Sequence, residues 1–153
     1  MAGTHRKTPS ARTPVQWAAL LMGVVFLLVG VLGFVPGVTT DHDALKFAEH
    51  DSDAELLGVF QVSVLHNLVH LLFGIAGAAM AGTVSTARTF LVGGGHVYLA
   101  LGIYGLVIDR DSTANFVPVN TADNWLHFAL ALGMIALGVL LPGPRAAGER
   151  DTR

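Results

Sequence analysis

The sequence predicts an all-α protein, a bundle of four transmembrane helices, and three observations predict it. Of 153 residues, 52% are hydrophobic and only 13% charged, against about 25% charged in a soluble domain; the mean hydropathy is +0.58. Four apolar stretches reach the length of about 20 residues that crosses ~30 Å of hydrocarbon, and none contains Lys or Arg. The Lys and Arg residues, finally, are sorted between alternate loops. No run of Pro, Ser or like charge divides the chain, so a single membrane domain over 15–141 is expected, between a basic tail of 1–14 and a second tail of 142–153.

The first span is read over 15–35, behind Arg6, Lys7 and Arg12 and closed by Pro36. Its apolar run exceeds the h-region of a signal peptide, and no small-x-small site follows before Pro36, so a retained helix is expected. The second span is read over 56–81, longer than a crossing needs, which implies tilt or a first turn beyond the lipid. The third is read over 90–108 and the fourth over 123–141, closed by Pro142.

Orientation follows from the basic residues. Seven of nine, namely Arg6, Lys7, Arg12, Arg88, Arg145, Arg150 and Arg153, fall in the two tails or the second loop; only Lys46 and Arg110 fall in the other loops. Both termini are therefore expected in the cytoplasm and the chain in the plasma (inner) membrane. Trp17 and Phe90 near the inner ends, and Phe34, Phe116 and Trp125 near the outer ends, suit interfacial anchors.

The chain also matches itself. At an offset of 72, Gly23, Gly30, Gly33 and Phe26 fall on Gly95, Gly102, Gly105 and Tyr98; at an offset of 57, Asn67 and His70 fall on Asn124 and His127. This points to an internal repeat, two similar hairpins related by a pseudo-two-fold axis along the membrane normal. The first outer loop is then 15 residues longer than the second.

Histidines within apolar stretches are the candidate functional residues, since ionisable groups are expensive at membrane depth. Ser63, His66, Asn67, His70, Gly74 and Gly77 recur at spacings of three and four and so share one face of the second helix. On the fourth, Asn120, Asp123 or Asn124, His127, Ala131 and Gly138 form the matching stripe. Polar atoms cannot cheaply face acyl chains, so both stripes should turn inward.

Three chemistries fit that pattern. The plainest is a polar network of Ser63, His66, Asn67, His70, His96, Asn124 and His127 that fixes helix packing. The second is a site for a divalent metal ion at His66, His70, Asp123 and His127, because i, i+4 side chains reach one ion; haem, with His96 facing His66 or His70, is a less supported cofactor. The third is a proton relay through Asp123, His127, His70 and His66, continued by His96.

The first outer loop carries D-H-D at Asp41 to Asp43 and H-D-S-D at His50 to Asp53, which read as solvated acid rather than a loose cation site. Pro118 and Asn120 or Thr121 read as the lead-in and cap of the fourth helix. The absence of cysteine excludes disulfides and thiolate metal centres. Three basic side chains in a tail exclude a nucleic-acid module, leaving the lipid bilayer as partner and a homo- or hetero-oligomer in the membrane as open. No G-x-S-x-G, H-E-x-x-H, phosphate loop or dinucleotide fingerprint is present, which points away from an enzyme.

The segments R-T-P-V-Q-W-A-A-L-L-M-G-V-V-F-L-L-V-G from Arg12, L-L-G-V-F-Q-V-S-V-L-H-N-L-V-H-L-L-F-G from Leu56 and A-N-F-V-P-V-N-T-A-D-N-W-L-H from Ala114 resemble the domain of unknown function 4383 family of bacterial, mainly actinobacterial, membrane proteins. The resemblance runs from Arg12 to Leu141. It implies a small four-helix integral membrane protein and carries over no catalytic residue. The role that follows is a non-enzymatic membrane or envelope component; the alternatives are a metal- or haem-binding redox subunit and, third, a proton or ion pathway.

Overall fold

A computed structural model describes residues 11–48, 52–110, 112 and 114–143. The charges of Arg6, Lys7, Arg145, Arg150 and Arg153, and His50 and Asp51 of the second acidic cluster, lie outside the described residues. Four helices dominate: α1 (Pro14–Leu32), α2 (Val64–Met80), α3 (Val84–Val107) and α4 (Thr121–Leu140). The protein is a mostly helical four-helix bundle.

Local chemistry sets each start. Pro14 occupies the first turn of α1, where its missing N–H costs nothing, and Gln16 Oε1 accepts from Thr13 N at 3.0 Å. Ser63 caps α2 by accepting from His66 N at 3.1 Å. Thr83 does the same for α3 through Thr86 N. Asn120 caps α4, accepting from Asp123 N at 3.0 Å while Asp123 Oδ2 accepts from Asn120 N at 2.8 Å, a reciprocal box that satisfies two otherwise orphaned donors.

Two helix boundaries differ from the apolar stretches. The second stretch, read from Leu56, becomes helical only at Val64. Its first residues build a three-stranded antiparallel sheet of β1 (Thr39–Thr40), β2 (Glu55–Leu56) and β3 (Phe60–Gln61), in which Leu56 pairs with Thr39 and Phe60. The turn between β2 and β3 needs left-handed backbone at Leu57 (φ 57°) and Gly58 (φ 66°), a conformation glycine adopts without strain. The third helix begins at Val84, six residues before the apolar run read from Phe90, because its first turns are polar and Thr83 caps them.

The helices pack as two antiparallel hairpins, α1 against α2 and α3 against α4, joined chiefly through α1 and α3. The interior mixes an apolar core of Phe26, Leu91, Tyr98 and Met134 with polar groups, and the exterior is apolar. His66, Asn67, His70, Asn124 and His127 are buried, while Leu72 is 65% exposed, Leu132 74% and Leu140 77%. Burying such side chains is what a water-soluble protein does; leaving them outside suits a hydrocarbon surrounding, where backbone and polar groups turn inward. α1, α3 and α4 are long and apolar enough to cross a membrane, and α2 is a shorter apolar helix. Together they fit an integral membrane protein.

A second, smaller apolar cluster forms where the sheet covers the C-terminal end of α1: Ala54, Leu56 and Val62 pack on Val29 and Leu32. The sheet also reaches the other hairpin. Gln61 N donates to Asp123 Oδ2 at 3.1 Å and Asn120 Nδ2 donates to the Val59 carbonyl at 2.7 Å.

Candidate functional site

The buried imidazoles gather between α2, α3 and α4. His66 and His70 stand one helical turn apart with their rings parallel, 4.6 Å between centroids and 1° between planes. His70 donates Nδ1–H to the His66 carbonyl at 3.1 Å, with the tautomer assigned from that bond. His127 approaches from α4 and lies 5.4 Å from the Tyr98 ring. The Pro118 carbonyl lies beside the His66 ring.

Tyr98 and Phe26 hold the centre. Their rings stack 5.4 Å apart at 5°, and Phe26 meets His70 edge-on at 5.8 Å. Neither was singled out for the site in the sequence. The signal was there, since Phe26 and Tyr98 are the aromatic pair that the offset of 72 brings together.

Asn67 and Asn124 are buried against glycines. Asn124 Nδ2 donates to the Gly105 carbonyl at 2.7 Å, and its Oδ1 presses on Gly105 where any side chain would stand; Asn67 presses on Gly33 in the same way. Asn67 Oδ1 and Nδ2, Asn124 Oδ1, His66 Nδ1 and His127 Nδ1 have no hydrogen-bond partner among the described residues. The expected polar residues therefore meet as packed neighbours rather than as one connected hydrogen-bond chain. Ser63 serves as the α2 cap.

Two expected members stand apart. Asp123 spends its Oδ2 on Asn120 N and Gln61 N, facing the loop instead of the imidazoles. His96 is exposed on α3, its Nδ1 bonded to the Val92 carbonyl at 2.8 Å. It follows Gly95, which is buried, and one helical residue turns it about 100° off the inner face. The links drawn to His96 for a network, a haem pair or a relay are thus not made. Among the described residues no three His, Asp or Glu side chains are arranged to hold a metal ion; the stacked pair presents parallel rings, and the carboxylate is turned away.

The imidazoles border a cavity of about 590 Å³. It is lined by α2 and α3, by Phe116, Val117 and Val119 of the segment before α4, and by His127 of α4. A second cavity of about 360 Å³ shares Phe73 and Val97 with the first and continues along the same seam toward Met80 and Thr89.

A family model described as a domain of unknown function (DUF4383) matches residues 16–140. No curated protein and no solved structure matches the chain.

Proposed function

The chain belongs to the domain of unknown function (DUF4383) family, and from that premise we propose a non-enzymatic, multi-pass component of the plasma (inner) membrane, with both termini in the cytoplasm. The observation that carries the reading is the apolar exterior of the helices around buried polar groups. Imidazoles, carboxamides and glycines are inside, while Leu and Val side chains clothe the outside, as a bundle held together in lipid by polar contacts and close backbone approach requires.

The proposal includes two equivalent hairpins. Gly23 and Gly95 approach equivalent partners, Gly74 and Ala78 in one hairpin and Ala131 and Ile135 in the other; Gly30 meets Leu71 as Gly102 meets Phe128; Gly33 meets Asn67 as Gly105 meets Asn124. Every one of those partner pairs is related by the offset of 57. At the opposite end, Gln16 Nε2 donates to the Ala81 and Gly82 carbonyls and Arg88, its match at 72, donates to the Leu141 carbonyl at 3.1 Å, each reaching the C-cap of the next helix although the offset of 57 sets Ala81 on Gly138. Contacts repeated at two independent offsets support descent from one duplicated hairpin.

The native chain has no cysteine, so single substitutions test the topology directly. Asp53→Cys should react with a membrane-impermeant maleimide on intact spheroplasts, and Ser85→Cys only after permeabilisation. Reaction of both from the same side would defeat the reading.

A further inference from the structure

We propose that the seam between α2 and α3 is a binding site for a neutral, isoprenoid-quinone-like lipid, its ring head among His70, Tyr98 and His127 and its tail running along the seam. The inference rests on the membrane reading above, because the ligand would enter from the acyl-chain side.

Volume and shape come first. About 590 Å³ lies within the range of roughly 300–1,000 Å³ that holds a small molecule. The adjoining 360 Å³ extends it from Phe73 to Met80, seven residues or ~10 Å along α2 at 1.5 Å per residue. A wider chamber that passes into a narrower groove matches a head and a tail; both are apolar, and the few polar atoms of the chamber come from its histidines and tyrosines. Val97, Tyr104 and Phe116 border the chamber and are each more than a third exposed, so the seam is open sideways.

The lining selects the head. Among the described residues no Lys, Arg, Asp or Glu borders the cavity, so a phosphate would lose its water with no cation in return. Seven of the thirteen bordering residues carry rings, which favours a flat head that can stack. Hydrogen bonding remains to be met at one end. His70 already donates through Nδ1, leaving Nε2 as an acceptor. His127 Nδ1 is enclosed without a partner; sealing in a bare lone pair costs less than sealing in an orphan N–H, which places the proton on Nε2, the nitrogen at the cavity edge. His127 is 4% exposed and His70 6%. A carbonyl or hydroxyl on a ring satisfies such a donor and acceptor together.

The matching seam between α4 and α1 differs at its end nearest the sheet. Val29 and Leu32, which the offset of 72 sets against the cavity residues Leu101 and Tyr104, lie beneath the sheet of the longer first outer loop.

The test is photoaffinity labelling of the full chain in lipid nanodiscs with an azido-quinone bearing a decyl tail, the adducts mapped by peptide mass spectrometry. Adducts should fall on the α2–α3 seam and be competed by decylubiquinone but not by phosphatidylglycerol. Ala100→Trp, which fills the open side of the cavity from an exposed position, should lower the adduct yield about ten-fold, and His127→Phe should do so while keeping ring volume; circular dichroism and gel filtration identify a variant that has merely misfolded. Equal competition by phosphatidylglycerol, adducts spread over the exposed leucines of every helix, or undiminished labelling in both folded variants would each overturn the site. Failure of the membrane reading would register separately, in the Asp53 and Ser85 maleimide pattern.

Discussion

At Gly33 and Gly105 a missing side chain is what lets a carboxamide from the next helix sit against the backbone. The two members of each pair belong to one design, and this predicts non-additivity. Asn124→Ala removes the bond to the Gly105 carbonyl and should lower stability by about 0.6–1.7 kcal/mol, the span measured for helix contacts in membranes. Gly105→Ala forces a methyl group into the Asn124 amide and should cost more, about 1–3 kcal/mol as for overpacking elsewhere. The double variant should be more stable than the sum predicts, because the smaller side chain at 124 makes room for the methyl. Thermal melting in detergent measures the cycle, and strict additivity would mean the two residues do not touch. The sequence marked Asn67, Asn124 and the glycines as recurring positions, but only packing set each carboxamide against its glycine. His96 was misread for want of helical phase: apolar context alone does not say which side of α3 a residue takes.

At the scale of single elements, capping decides where helices begin, and apolar length does not. Leu56 to Val62 look like the start of a span, yet Gly58 supplies a turn and Ser63 the first good cap, so the segment becomes strands and α2 starts at Val64. α4 has the most elaborate start, since Asn120 accepts from Asp123 N and also holds the Val59 carbonyl. Asn120→Ala should cost about 1 kcal/mol for the lost cap. It should also release the loop between α1 and α2, raising amide exchange at Gln61, whose partner is Asp123; exchange unchanged at Gln61 would show that the loop does not depend on this cap. The sequence named Asn120 or Thr121 as the cap, and the structure selects Asn120.

Across the whole molecule the two hairpins meet through the stacked rings of Phe26 and Tyr98, which the proposed repeat relates to each other. Either ring changed to Ala should lose about 3–5 kcal/mol, the usual cost of truncating a buried aromatic. Part of that loss is shared, about 0.5–1.5 kcal/mol for an aromatic pair, so Phe26→Ala and Tyr98→Ala together should cost less than their sum. A coupling indistinguishable from zero in unfolding titrations would place the junction elsewhere. The sheet adds a second tie between the hairpins through Gln61 and Asn120, and the α1–α2 connection that supplies it is longer than the α3–α4 connection.

The sequence by itself determined the number of helices, their apolar character and the inward polar stripes on α2 and α4, because hydrophobic length and 3.6-residue periodicity are properties of a chain read locally. Tertiary structure alone decided that Asp123 serves a cap, that His96 faces outward, that His66 and His70 stack, and that a cavity opens beside Tyr98. Those outcomes depend on which neighbour a side chain finds after the helices have packed, and spacing along one helix holds no record of its distance to another.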